Sequence, residues 1–394
     1  MPITGIKFID ITKGWAVTGN LTSPVPSDTS SVINTINGGT NWIEQLRAPA
    51  TEFTDLEVVD GNNINVSGYD LNINRMIIYK STNGGINWSS ITMVPNMLIN
   101  DMQFLNKDSA WECGSSAGPD VRTTTDGGNT WVVRTNGILS ATQRIFFLNY
   151  NTGFCGANNN VLYKTTNAGL NWFPNGTFTQ IVQSICFLNN NTGWVGLSSD
   201  TTSLISYTSN GGANWILQRL MPYITNISDI HFLNAQTGWA GIGSIAIYKT
   251  TNSGINWGFQ NNLSQSVRIS FVDTLKGWTG RIGISKTTNG GGPIFYLGFT
   301  PEGTNIPKNF TLYQNYPNPF NPYTTIKLDI SESSVIKLYI SDILGRVHYE
   351  VINQFLVPGK YEFNWDSRYY SSGVYFYTLI SDKFTETKKM LLIK

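Results

Sequence analysis

The sequence is poor in the residues that most often carry chemistry. Only two histidines, His231 and His348, occur in 394 residues, so a three-histidine zinc site is not available. The three cysteines, Cys113, Cys155 and Cys186, are an odd set without C-x-x-C spacing, which argues against both a disulfide framework and a zinc knuckle. Charged residues make up 13% of the chain, about half the roughly 25% of an ordinary soluble domain. Lys and Arg number 26 against 25 Asp and Glu, a formal charge of +1, so no one-signed field favours nucleic acid or anionic lipid. No stretch of about 18 apolar residues exists to form a transmembrane helix. Phosphate-cradling glycine loops, a Gly-x-Ser-x-Gly elbow and an EF-type calcium loop are missing too, so neither a cofactor nor a metal is expected.

What abounds is a repeat. Trp42, Trp88, Trp131, Trp172, Trp215 and Trp257 stand 41 to 46 residues apart, and each closes an octet that opens on Ser or Thr. The third position of these octets is Asn37, Asn83, Asp126, Asn167, Asn210 and Asn252; a seventh copy keeps Asn289 and lacks the Trp. Upstream of each octet an apolar strand ends in Phe-Leu or similar, followed by a polar turn and a Gly-Trp pair, as in Ile230-His231-Phe232-Leu233 with Gly238-Trp239. Copy two, with Gly61-Asn62-Asn63-Ile64, has no aromatic at that point and is the weakest. Each unit offers four short strands with no helical period between them, and one unit cannot bury itself. Seven four-stranded sheets set radially, a β-propeller, solve that problem and leave only short edges. The Asn-Gly or Asp-Gly pair is expected to take positive φ in a tight hairpin, and the octet Trp to lie as an apolar plate between neighbouring sheets.

Thr124 through Trp131 matches in full the Asp-box, Ser/Thr-x-Asp-x-Gly-x-x-Trp, and five other copies put Asn at the Asp position. With the Gly-Trp phrase, residues 3–292 resemble the bacterial propellers related to photosystem II stability and assembly factors. The same box occurs in sialidases and in some xyloglucan-degrading hydrolases, so the resemblance implies a fold and leaves the chemistry open.

After residue 300 the pattern changes, giving three expected parts: a seven-bladed propeller over 1–300, a linker over 301–309 and a C-terminal domain over 310–394. Alternating strands at 326–330, 336–340, 361–365 and 373–377 predict a small immunoglobulin-like antiparallel sandwich of about seven strands. Its phrases are Tyr316-Pro317-Asn318-Pro319-Phe320-Asn321-Pro322, Asp342-x-x-Gly345-Arg346, Ser372-Gly373-Val374-Tyr375 and Lys388-Lys389-Met390-Leu391. Together they closely resemble the type A C-terminal sorting domain of type IX secretion. That resemblance implies the secretion machinery as partner and a destination in the medium or on the outer surface of a two-membrane bacterium. It also implies an inner-membrane leader; Met1-Pro2-Ile3-Thr4 leads straight into patterned sequence, so the natural start is expected upstream.

A ligand site is sought where equivalent positions of the units converge. On the first strand of each unit, one position reads Gly5, Asp55, Asp101, Arg144, Ser184, Asp229 and Arg268. Two residues further on stand Lys7, Glu57, Gln103, Phe146, Cys186, His231 and Ser270. Period two puts both sets on one side of their strands, toward the axis. Asp55, Glu57, Asp101, Arg144, Asp229, His231 and Arg268 are therefore the candidate axial site. The alternative is that these groups pair among themselves around the axis. Two carboxylates there would suit a glycosidase, whereas Arg144, Arg268 and Arg281 do not reproduce the sialidase pattern. Tyr69, Tyr207 and Tyr223 are aromatics able to stack on sugars. Stacked sheets lie about 10 Å apart, so Cys113 and Cys155 are expected to be core fillers beyond disulfide reach. The reading that results is an exported, non-catalytic recognition or scaffold propeller whose glycan or protein ligand is unspecified; the alternative is a polysaccharide-active hydrolase with carboxylates at the axis.

Overall fold

The computed structural model describes residues 2–19, 29–93, 99–115, 118–197, 204–219, 227–242, 246–255, 257–260, 268–281, 283–291, 295–296, 307–332, 334–356, 359–368 and 370–394. Among them every regular element is a β-strand. The chain divides into two compact units, Met1–Ile255 with Asn261–Gly292, and Asn256–Gln260 with Pro293–Lys394.

The first unit is a closed ring of seven antiparallel sheets, one per repeat. Their innermost strands are Ile3–Phe8, Thr51–Val58, Ile99–Phe104, Thr142–Phe147, Val182–Phe187, Ile227–Phe232 and Arg268–Phe271. Each of the first five sheets has four strands in sequence order. The seventh has three among the described residues, ending at Ile284–Thr287. Phe295–Tyr296 pairs antiparallel with Gly258–Phe259, within the second unit. The ring shuts between the seventh and first sheets. The Ile3 amide donates to the Arg281 carbonyl at 2.5 Å, and the Phe8 amide to Ser270 Oγ at 2.9 Å.

Aromatic sandwiches fill the seams. The Gly-Trp indole, fully buried, lies flat on the inner-strand Phe of the next sheet: Trp194 on Phe232 at 3.5 Å, Trp239 on Phe271 at 3.7 Å and Trp278 on Phe8 at 3.5 Å. The glycine before it makes room for its own sheet's Phe. A Cβ on Gly193 would lie 2.3 Å from the Phe187 ring, and one on Gly277 would meet Phe271 at the same distance. The octet Trp meets the sandwich edge-on, as Trp42 does Phe8 at 5.8 Å and 88°. Trp42, Trp88, Trp131 and Trp215 are only half-buried, so the plate between sheets is supplied chiefly by the Gly-Trp indole.

The octet turns differ from expectation in one respect. Positive φ falls on the fourth and fifth positions, such as Gly38 (67°) and Gly39 (86°), and not on the Asn or Asp. Ala168 and Ser253 adopt it where the fourth position is not glycine. The Asn or Asp works through its side chain: Asn37 Oδ1 accepts the Asn41 amide at 2.9 Å, while Thr35 Oγ1 accepts those of Gly39 and Asn37. Folded this way, the turn presents its fourth carbonyl to the preceding sheet, and all seven copies use it. Gly38 O takes Trp278 Nε1, Gly84 O takes Gln45, and Gly127 O takes Lys80. Ala168 O takes Trp111, Gly211 O takes Lys164 and Asn175, Ser253 O takes Trp194 and Gln218, and Gly290 O takes Trp239 and Lys249. The octet is thus a socket between sheets as well as a hairpin.

The second unit contains a three-stranded sheet, Thr311–Leu312, Tyr323–Ile330 and Gly359–Asp366, and a four-stranded one, Ser334–Asp342, Val347–Leu356, Gly373–Ile380 and Thr385–Leu392. Alternation buries Ile326, Leu328, Tyr361 and Phe363 from the first and Ile336, Leu338, Tyr377 and Met390 from the second. The proline-rich phrase is tied to the final strand: Asn318 Oδ1 accepts the Leu391 amide at 2.9 Å, and buried Phe320 donates its amide to Leu391 O at 3.0 Å. Asp342 gathers the Leu344 and Arg346 amides and the Arg346 Nε at 2.7 Å, holding Gly345 at φ 74°.

Candidate functional site

The inner strands place their period-two side chains around the axis, where they line a cavity of about 260 Å³. All seven candidates, Asp55, Glu57, Asp101, Arg144, Asp229, His231 and Arg268, border it, together with Lys7, Gln103, Ser184 and Cys186. The acids crowd on the second and third sheets (Asp55, Glu57, Asp101), with Asp229 on the sixth. Lys7, Arg144 and Arg268 come from the first, fourth and seventh.

Most of these groups reach sideways rather than across. Asp101 Oδ2 accepts the Ile145 amide of the next sheet at 2.9 Å, and Asp229 Oδ2 accepts that of Ile269 at 2.8 Å. Ser184 Oγ accepts the Ile230 amide at 2.9 Å, and Gln103 both accepts from and donates to the Phe147 backbone. His231 Nε2 pairs with Phe271 O at 3.0 Å, and Arg144 Nε donates to Gln183 O at 2.6 Å. Inner strands of neighbouring sheets diverge too far for a ladder, so their backbone groups would be orphaned without these side chains. Pairing around the axis therefore takes the form of side chain to next-sheet backbone. Asp55 follows the same pattern toward the Met102 backbone of the third sheet, and its Oδ2 is left buried without a hydrogen-bond partner.

Electrostatically the cavity disfavours ionised acids. By surface area the carboxyls are half-buried, yet protein encloses them on most sides. Desolvation raises Asp55 and Asp229, partly offset by Arg268. Desolvation and the neighbouring Asp55 charge push Glu57 up to about 8 and Asp101 up to about 7. Desolvation, with Lys7 nearby, takes His231 down to about 4, so it is a neutral ring at neutral pH. Among the described residues no group of three His, Cys, Asp or Glu side chains is arranged to hold a metal ion.

Three features escaped the sequence reading. Glu112, fully buried on the second strand of the third sheet, stands where the other sheets carry Ala16, Val66, Cys155, Val195, Ala240 and Thr279. Its oxygens have no hydrogen bond, and Arg122 Nε, 3.7 Å away, is engaged with Asp120 at 2.8 Å. Desolvation and the nearby Asp120 charge hold the Glu112 carboxyl well above its usual range. A charge in an otherwise uncharged column was the available signal. Cys113 and Cys155 are buried core fillers with free thiols, as expected; what was missed is that they lie one place apart in the repeat, so period two turns them toward one seam, where they share a buried cluster. Of the tyrosines, Tyr69 and Tyr207 are half-buried and Tyr207 packs on Trp194 at 5.2 Å; Tyr223 lies outside the described residues.

A closed ring of seven four-stranded-type sheets with Asp-box sockets defines a β-propeller, here followed by a small β unit. Residues 314–394 match the secretion system C-terminal sorting domain family. The chain is therefore a propeller protein carrying a type IX sorting domain, addressed to the cell surface or the medium. Solved structures similar to it include YCF48 bound to D1 peptide (18% identity, TM-score 0.56, covering 73% of this chain and 93% of that one). Another is PorZ, a surface component of the type IX secretion system of Porphyromonas gingivalis (14%, 0.53, 99% of this chain and 59% of that one). A third is the GH74 enzyme of Niastella koreensis (11%, 0.56, 100% and 73%). At these identities the likeness is one of fold. No curated protein matches the sequence.

Proposed function

We propose that the propeller is a non-catalytic recognition or scaffold module, delivered outside the cell by its sorting domain, with the axial mouth as the docking place for a glycan or protein. The observation that carries this reading is the use of the axial polar groups: Asp101, Asp229, Ser184 and Gln103 hold the backbone of the next sheet. A group committed to the frame is poorly placed to move through a proton cycle. The fold neighbours described as peptide-bound or as a surface component are consistent with it. The test is binding of the full chain to glycan and surface-protein panels, alongside polysaccharide digestion. Binding without new reducing ends is expected, and it should weaken in Arg268→Ala; release of reducing ends would overturn the reading.

A second reading is favoured by one observation. Glu57, held protonated up to about 8 beside Asp55 and Asp101, has the character of a general acid next to a carboxylate. In that case reducing ends appear with the wild type and vanish in Glu57→Gln.

A further inference from the structure

The seam between the third and fourth sheets carries a chemistry that no other seam has. Cys113 follows Trp111 by two residues and so shares its face, toward the fourth sheet, where Trp111 stacks on Phe147 at 3.9 Å. Cys155 faces back. Both are fully buried in one cluster with Trp111, Val121, Ile145 and Phe147. Beside them the sheets are pinned at close quarters: Thr142 Oγ1 of the fourth sheet donates to Gly114 O of the third at 2.8 Å, and the Gly114 amide lies 3.3 Å from the same oxygen. In the structure both are free thiols. None of the other seams has two thiols at this place; Val17 faces Val66 at the first and Gly196 faces Ala240 at the fifth. Cys186 is elsewhere, on the axial cavity.

The sorting domain takes the chain through a compartment in which disulfides form and persist. We infer that Cys113 and Cys155 are joined in the exported protein as a disulfide that staples the third sheet of the propeller to the fourth. The oxidant is a disulfide of the periplasmic thiol-oxidoreductase class. One cysteine thiolate attacks it to give a mixed disulfide, and the second displaces the carrier. Two protons and two electrons leave the chain, and the carrier departs as a dithiol. Because both sulfurs are inaccessible in the finished ring, closure takes place before the fourth sheet seats on the third. The staple thus joins two neighbours in a circle whose other joints, across the described residues, are stacking and hydrogen bonding.

The test uses the full chain recovered from the medium or surface of exporting cells, quenched in acid, then alkylated in denaturant without reductant and digested. The expected result is a linked pair of peptides containing Cys113 and Cys155, two hydrogens lighter than their sum, with alkylation at Cys186 alone. Prior reduction should raise the alkylated sites to all three. The same chain made in a reducing cytosol is expected to carry three free thiols. Alkylation of Cys113 and Cys155 in the unreduced exported chain would overturn the proposal, as would a link from either one to Cys186. The readout is taken on the wild type and so needs no variant to fold; Cys155→Ala serves as a control, expected to expose Cys113 to the reagent in denaturant.

Discussion

The propeller and the sorting unit solve the same problem, covering short antiparallel sheets, in opposite ways. In the ring one contact set is made seven times, so a poor copy is carried by its neighbours. The second sheet shows it: Asn65 occupies the indole position, buried with both amide atoms unpaired, yet its four strands stay paired, with an inner-strand bulge between Phe53 and Asp55 like that between Ile3 and Gly5 of the first sheet. In the sorting unit each device occurs once. Asn315 ties the chain before the proline-rich phrase to Thr324 at 2.8 Å, to Pro317 O at 3.1 Å and, through its backbone amide, to the Tyr377 hydroxyl at 2.8 Å. Repetition spreads the cost of a defect, and singularity concentrates it.

The largest effect expected from breaking that contrast is removal of residues 314–394. Surface or medium delivery should be abolished while the propeller keeps its cooperative unfolding, checked by fractionation and thermal melts of the periplasmic pool; undiminished delivery would refute the role of the domain. Within the ring, Trp194→Ala removes the plate on Phe232 and the donor to Ser253 O, and should cost about 3–5 kcal/mol in denaturant titration. Trp88→Ala takes away a half-buried indole whose nitrogen bonds only within its own turn, and should cost markedly less. Equal losses at the two sites would show that the octet Trp closes the seams as much as the Gly-Trp indole does.

How far the sequence reaches follows the same division. The period, the sheet count and the axial placement of Asp55, Asp101 and Asp229 are legible because a repeat compares each residue with six equivalents. The Gly-Trp glycine could be seen but not explained, since its reason is a Phe ring that crosses it from the adjacent strand. The two cysteines were legible as core fillers, but their sharing of one seam was not, because they were compared as equivalent positions when they are one place out of step. The positive φ values went to the wrong pair because Asn and Gly both tolerate that region, and only the side-chain bond of Asn37 to the Asn41 amide decides which of them turns. In the sorting unit the strands at 326–330 and 373–377 were plain from alternation. Val347–Leu356 was missed, where His348-Tyr349-Glu350 and Asn353-Gln354 blur the apolar period.

A single substitution in the sorting unit sharpens the comparison at a smaller scale. Asn315→Ala removes the two side-chain hydrogen bonds to the Thr324 hydroxyl and the Pro317 carbonyl, which keep only the bond they make to each other, and about 1–3 kcal/mol of that unit's stability should be lost. Its melting should shift while that of the propeller does not. A shift in both would mean that the two units unfold as one.

The remaining expected effect is electrostatic and belongs to the axis. Glu57 has a folded pKa of about 8, above its unfolded value of about 4.3. Between those values the folded state binds the extra proton, so this group lowers stability progressively as pH rises through the window and has exerted its full effect above it. Glu57→Gln removes the titration and leaves the other axial groups in place. The variant's unfolding midpoint relative to wild type should therefore climb as pH goes from 6 to about 8.5 and then level off. Taking the difference between two chains cancels His231, whose lowered pKa acts in the opposite sense at more acidic pH. A difference that stays constant over this range would mean that Glu57 is ionised in the folded ring, and the general-acid reading of the axis would fall with it.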